Sequence, residues 1–249
     1  MQLRRADVLD GAMSILNEYG LADLTMRRLA TSLGVQPGAL YWHFPNKQTL
    51  LAAMADTILA NVAAQTPDAA HGDSVVGDAA ADDPGARGSG CGDWSQDFFG
   101  LAHRMRSALL AHRDGAELVS ATYASRLADS GPRDAFADIA RAAGLSTEHA
   151  ELASYTLLYY VLGHTVDEQS RAQMESIGAL TRGPVAGATD QVIDEDLLDG
   201  DPAVRFDFGL SLFVDGIRAR VDPVDELARQ RSHGQDSQGQ HSHGQTSHR

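Results

Sequence analysis

Arg27, Arg28, Gln36, Tyr41, His43 and Lys47 gather cations, an amide, a phenol and an imidazole between residues 25 and 47, and Lys47 is the only lysine of the chain. Groups of these types hold phosphates and touch base edges. Arginine, lysine, tyrosine and histidine reach backbone oxygens, while small side chains such as Ala39 let a helix come close to bases and thymine methyls. The chemistry implied is recognition of double-stranded DNA, not bond making. Elsewhere the sequence holds no Gly-rich phosphate loop, no HExxH and no nucleophile elbow, which argues against an enzyme. The string His112-Arg113-Asp114-Gly115 has the look of a kinase catalytic loop, but neither the Gly-rich loop nor a DFG segment accompanies it.

Two short helices joined at a glycine must position the DNA-facing groups. Leu24, Leu29 and Leu33 recur on one helical face, leaving Arg27 and Arg28 to point elsewhere. Thr25 suits the N-cap, and Gly34 suits the left-handed residue of a tight turn. The second helix is expected to begin at Gln36-Pro37, where the missing proline N–H had no partner to lose, and to stop at Pro45. Leu40 and Phe44 then face inward, with Gln36, Gly38, Ala39, Tyr41 and His43 around the outside. At least one of the aromatics Tyr41 and Trp42 is expected in the core. A preceding helix from Arg4 to Glu18 supplies the third wall through Val8, Leu9, Ala12, Ile15 and Leu16, closed by Tyr19-Gly20.

The rest of the chain reads as all-α. Residues 48–64 form a linking helix carrying Leu50, Leu51, Met54, Ile58 and Leu59, placed to act as a lever. Residues 65–93, with six aspartates and one arginine, read as a flexible acidic loop of Gly, Ala and Asp. A helix from Trp94, apolar on most of its circumference, is expected at the centre of the body and is broken at residues 112–116. Helices over 118–127, 133–143 and 148–177 follow, and residues 178–200 loosen. Residues 204–221 are apolar on too many faces for an exposed helix and call for a partner surface. The domain organisation read from this pattern is a helix-turn-helix unit over 1–47, the linking helix over 48–64, the loop over 65–93, a regulatory and dimerisation domain over 94–228, and a disordered His/Gln/Ser-rich tail over 229–249. The tail histidines His233, His241, His243 and His248 lack the fixed geometry of a metal site.

Composition sets further limits. With 249 residues and 43% apolar content, the chain can bury one sizeable core and a small second one. No stretch approaches the roughly 20 apolar residues of a membrane span, and Met1-Gln2-Leu3-Arg4-Arg5 leads into a charged helix, so the expected location is the cytoplasm. Cys91 is the only cysteine, which rules out an intrachain disulfide or a cysteine zinc site. The net charge is −14, yet residues 1–50 sum to +1. An acidic body behind a near-neutral head repels DNA except at the head and keeps nonspecific affinity modest. Neither a cofactor nor a metal is expected.

Leu-Tyr-Trp-His-Phe-Pro-Asn-Lys at residues 40–47, preceded by Leu-Thr-Met-Arg-Arg-Leu-Ala and followed by Leu-Leu-Ala-Ala-Met, closely resembles the DNA-binding domain of the TetR family of bacterial repressors, from about Arg4 to Asn61. The resemblance implies that Arg27 and Arg28 sit near bases and backbone, that Tyr41, His43 and Lys47 clamp phosphates, and that Gln36, Pro37 and Ala39 occupy reading positions. Pro37 departs from the tetracycline repressors, where a hydrogen-bonding residue stands, so a different operator is implied. Trp94 through Thr122, with Ala-Leu-Leu-Ala-His-Arg-Asp-Gly-Ala, and Leu162-Gly163 followed by Asp167 resemble the regulatory domain of the tetracycline-repressor branch. That likeness implies a homodimer formed by the helices near 148–177 and 203–221, with reading helices about 34 to 36 Å apart on a palindromic operator. It also places Val119 where the metal-coordinating histidine stands, Leu101 and Met105 where its polar neighbours stand, and Ala63 where the lever-end histidine stands. Asp167 alone cannot rebuild octahedral oxygen coordination around magnesium. A pocket of Phe98, Leu101, Met105, Val119, Tyr155, Tyr159 and His164 then suits a flat aromatic or lipophilic inducer. Each of these is also ordinary core material, and His164 reads more simply as a satisfied buried donor. A ligand-independent regulator and an activator remain the alternatives.

Overall fold

Why the head folds where it does is visible at its caps. The computed structural model describes residues 3–63, 94–127, 131–179 and 200–236, the last with side chains up to Val221. Helix α1 is Arg5–Tyr19, α2 is Met26–Ser32, α3 is Pro37–Tyr41 and α4 is Lys47–Leu59. Thr25 Oγ1 accepts from the Arg28 amide at 3.1 Å, and Asn46 Oδ1 accepts from the Thr49 amide at 2.9 Å. Each such cap contributes about 0.5 to 2 kcal/mol to its helix. Gly34 takes φ +67° between α2 and α3, and Pro37 opens α3.

Between these helices lie Val8, Ala12, Ile15, Leu16, Leu24, Leu29, Leu40 and Phe44, all buried. Met13 joins them, whereas Leu9 is only partly covered. Only five residues of α3 are regular helix; the Phe44 amide then bonds back to the Leu40 carbonyl at 2.9 Å before Pro45 ends the turn. Because Leu40 and Phe44 occupy its inner side, no room remains there for another ring. Tyr41 and Trp42 are therefore 48% and 90% exposed, and the expectation that one of them lies in the core is overturned.

The body consists of α5 (Trp94–Leu110), α6 (Gly115–Ala124), α7 (Gly131–Ala142), α8 (Thr147–Ser176) and α9 (Pro202–Asp236), with no strand among the described residues. Helix α5 touches α4, α6, α7, α8 and α9, which makes it the central element the sequence pattern implies. Helix α4 lies against both α5 and α6, so the lever has a seat on the body. Leu50, Met54, Ile58 and Leu59 are buried, while Leu51 is half-buried. Helix α9 continues past Val221 to Asp236, through the boundary expected near 229. The acidic loop over 65–93 with Cys91, residues 180–199 and the tail from 237 lie outside the described residues.

Helices α8 and α9 meet through an aromatic stack. The Tyr160 and Phe206 rings lie 5.6 Å apart at 15°, and Tyr160 Oη donates to the Phe206 carbonyl at 2.9 Å. One turn on, Gly209 leaves room for the Tyr160 phenol, and an alanine Cβ there collides with it. Gly209→Ala is expected to lower stability by about 1 to 3 kcal/mol through this overpacking, read by urea denaturation. A neutral or stabilising effect, as a helical Gly→Ala gives where space allows, would show that the stack is not held this tightly.

Candidate functional site

Arg27, Gln36, Pro37, Gly38, Tyr41 and Trp42 are all exposed on the α2–α3 side of the head, while Ala39, His43 and Lys47 are half-buried at its margin. The α3 groups and Arg27 of α2 are thus open to solvent on two helices that pack against each other. Trp42 is among the exposed residues although the sequence pattern assigned it to no role. Arg28 is placed differently from Arg27. Its Nη1 contacts Asp23 Oδ1 at 2.6 Å and its guanidinium lies 3.7 Å from the Tyr19 ring centroid, which ties it into the α1–α2 angle. A surface groove of about 700 Å³ runs along that angle, lined by Gly11, Ser14, Glu18, Arg27 and Thr31 among others.

A second arginine fastens α1 to the turn after α3. Arg5 Nη1 donates to the His43 carbonyl at 2.9 Å, and its guanidinium lies 4.1 Å from the Phe44 ring. It thereby caps the open carbonyl end of the α3 turn, where a cation is favoured. No local pattern announces this bond, because its partners are 38 residues apart.

Head and body are joined at the turn between α5 and α6. Asp114 adopts a left-handed conformation, φ +53°, and its Oδ2 accepts from the Leu21 amide at 2.8 Å. Arg113 Nη1 donates to the Glu18 carbonyl at 3.0 Å, and His112 Nδ1 lies 3.2 Å from Asn17 Oδ1. Gly20 has φ +89°, and a Cβ on it would lie 2.6 Å from Asp114 Oδ2, so only glycine admits the carboxylate. On the far side Gln169 of α8 donates Nε2 to the carbonyls of Leu109 and His112, at 3.1 and 2.8 Å, and accepts from the Ala116 amide at 3.1 Å. The string that resembles a kinase loop is thus a clasp, bonded to α1 on one side and to α8 on the other.

In the body the residues expected to line a pocket fall into two groups. Phe98, Leu101, Met105 and Val119 are wholly buried, with Phe98 edge-on to Phe136 at 5.8 Å. Tyr155 and Tyr159 instead point outward, 40% and 62% exposed, and Tyr155 Oη accepts from Arg133 Nη1 at 2.7 Å. The reason is register: Leu157, Leu158, Val161 and Leu162 take the inner face of α8, so positions 155 and 159 fall on the other. His164 lies between these groups, packed edge-on to Phe206 at 5.1 Å, with its Nδ1 buried, 4.0 Å from Glu168 Oε2 and without a hydrogen-bond partner. It is not the satisfied donor that its type suggests. Beside it, Arg106 and Glu168 form a two-pronged pair at 2.8 and 2.5 Å. Tyr159 shares the outer surface with Leu152 of α8 and with Val204, Phe208 and Leu212 of α9, each more than half exposed.

Burial lowers the His164 pKa; Glu168 opposes the shift, while Arg106 and Arg205 add to it, and burial also lowers His112. Both rings are therefore favoured neutral in the folded chain. No three His, Cys, Asp or Glu side chains converge as a metal site among the described residues, and no described helix is long and apolar enough to cross a membrane.

Comparison with known proteins adds the following. The family model described as bacterial regulatory proteins, tetR family, matches residues 8–54, and that for the tetracyclin repressor-like C-terminal domain matches residues 88–221. The class A tetracycline repressor protein from transposon 1721 of Escherichia coli is 34% identical over 88% of this chain and 92% of its own length. The crystal structure of Mycobacterium smegmatis BioQ superposes with a TM-score of 0.67 at 41% identity, covering 88% of this chain and 99% of that one. A BioQ crystal structure with its double-stranded DNA operator gives a TM-score of 0.61 at 38% identity, covering 87% and 98%.

Two outcomes are expected of the site. Because folding favours neutral His112 and His164, their stabilisation is complete above the ordinary histidine range and falls as the pH drops through it, from about 7 to 5. Melting temperatures across that interval should fall, and less so in His164→Leu; an unchanged slope in that variant would show that His164 carries none of it. Separately, Asp114→Ala should let the head melt ahead of the body, by a loss of about 1 to 3 kcal/mol at the joint. Hydrogen exchange of the α1–α3 amides against the α5–α8 amides reads head and body separately, and equal loss of protection in both on Asp114→Ala would show that the clasp is not needed.

Proposed function

We propose, from the premise that this chain belongs to the TetR family of bacterial regulatory proteins, that it is a homodimeric repressor released from a palindromic operator by a lipophilic or aromatic inducer. DNA binding through the helix-turn-helix and a regulatory domain behind it come with the family. The carrying observation is the exposure of Arg27, Gln36, Pro37, Tyr41 and Trp42 on a head clasped to the body by Asp114. In this reading Arg27, Tyr41, His43 and Lys47 hold phosphates, while Gln36, Pro37 and Ala39 face bases. Arg28, already paired with Asp23 and stacked on Tyr19, reaches DNA less directly and stiffens the start of α2.

Leu152, Tyr159, Phe208 and Leu212 support the dimer, since an exposed apolar stripe of this extent on two adjacent helices is what an isologous interface covers. Two copies then present two reading helices to successive major grooves. Phe98, Leu101, Met105 and Val119 line the inducer site, with His164 as the polar group at its edge. Tyr155 and Tyr159 belong to the dimer surface in this arrangement. Inducer binding must separate those packed side chains, and α4, seated on α5 and α6, transmits the displacement to the head. For full switching the inducer has to prefer the non-binding state by about 5.5 kcal/mol. The second reading, a regulator without a ligand, is favoured by the complete burial of those four residues.

Fluorescence anisotropy against DNA from upstream of the gene, with excess random competitor, tests the proposal. One dimer per site resistant to competitor is the expected result, and binding that competitor removes entirely would reject it. Lys47→Ala and Tyr41→Phe should weaken specific and random DNA by similar factors, because phosphates carry no sequence. A loss confined to one base pair would move either residue to the reading positions.

A further inference from the structure

Arg104 of α5 is a half-buried guanidinium with no acid at ion-pair distance among the described residues. Arg4, Arg28, Arg106, Arg133, Arg141 and Arg218 each have a carboxylate within ion-pair distance. Among the described residues Arg104 has none, in a chain where 34 acids face 20 basic side chains. Its Nε donates to the carbonyl of Val62 at 3.2 Å, just beyond the end of α4. Its Nη2 is buried and has no hydrogen-bond partner. Its Nη1 lies over Gly100, where an added Cβ would stand 3.2 Å away, so the absence of a side chain at that position makes the space in which the fork lies.

Such a group is electrostatically incomplete. A guanidinium offers five donors in a planar fork, and a neutral carbonyl engages it at one edge without balancing its charge. The partner that completes it is a planar anion accepting two parallel bonds. Leu101, one turn away on the same helix, and Val62 supply apolar surroundings, both wholly or nearly buried.

We infer that Arg104 is the anion anchor of the regulatory body, taking the carboxylate of an otherwise apolar organic acid and releasing the Val62 carbonyl at the end of the lever helix as it does so. The inference rests on the inducer-released repressor reading and names the chemical class of that inducer. It gives the anion a direct mechanical consequence. Arg104 holds the carbonyl end of α4 to α5 as a cation at a helix C-terminus does. A carboxylate competes for the same fork, so occupation frees α4 to move.

The test is calorimetric titration of the full-length protein with decanoate and 2-naphthoate, below micelle-forming concentrations, against decanol and 2-naphthamide. At least one acid should bind about tenfold or more tightly than its neutral counterpart. Arg104→Met should remove that preference. Arg104→Lys, which keeps a cation for the Val62 carbonyl but loses the fork, should weaken acid binding while leaving the fold intact by circular dichroism. The same acid should release labelled operator DNA from the unaltered protein and not from Arg104→Lys, whereas Arg104→Met, which lacks the bond to Val62, should hold operator more weakly even without acid. Equal binding of acids and neutral analogues overturns the proposal, as does undiminished acid binding in both variants, or acid binding without release of DNA. Operator affinity is measured first on ligand-free protein, so failure of the regulator reading appears there and not in the calorimetry.

Discussion

The Leu21 amide donates to a carboxylate oxygen of Asp114, and through this bond the end of α1 is fastened to the turn that begins α6. A charge-assisted bond of this kind contributes about 1.5 to 3 kcal/mol, a small quantity beside the cores on either side. Its position matters more than its strength. The glycine at position 20 admits the carboxylate, the left-handed Asp114 aims it, and Gln169 fixes the turn from behind. A rearrangement of α8 or α6 therefore reaches the head through hydrogen bonds of fixed geometry. Head and body also share one continuous buried core through α4, so the clasp acts alongside that packing.

Packing divides the body into an interior and a face. Phe98, Leu101, Met105 and Val119 sit in a closed core, and Tyr160, Phe206 and His164 fill the seam among α5, α8 and α9. Interiors packed to crystal-like density respond to an inserted molecule by discrete rearrangement and not by gradual deformation. A ligand admitted to that core displaces helices, which is the property a switch requires. The outward stripe of α8 and α9 is chemically different, apolar yet open, and in the proposed dimer its burial against a second copy links head spacing to body shape.

Charge is distributed to the same end. Arg4, Arg28, Arg106, Arg133, Arg141 and Arg218 pair with acids, in a chain whose net charge is −14. Arg5 and Arg28 are engaged in internal contacts with the His43 carbonyl and Asp23, and in the proposed reading Arg27 and Lys47 with Tyr41 and His43 meet the phosphates. With so few cations at the DNA surface, affinity relies on shape and base contacts more than on counterion release.

Much of this was legible in the amino-acid sequence. Leu24, Leu29 and Leu33, the Thr25 cap, Gly34 and Pro37 determine the head by interactions within a few residues, and the sequence pattern reproduces α1 to α4 to within a few residues. Heptad-like apolar spacing likewise located the helices of the body. Direction across distance was another matter. Helical spacing puts Tyr155 and Tyr159 on one face of α8, but whether that face looks inward depends on where α5, α6 and α7 lie. Tyr41 and Trp42 turned outward because Leu40 and Phe44 had already filled the space beneath a very short helix. The partners of Arg5, Arg104, Arg106 and Asp114 lie 38, 42, 62 and 93 residues away, and no local rule joins them. Sequence by itself determined the elements and the type of surface the head presents, since caps, turns and periodicity act locally. Tertiary structure alone decided the clasp, the outward tyrosines and the bond from Arg104 to the Val62 carbonyl, since burial and hydrogen bonding between distant segments exist only once the helices have packed.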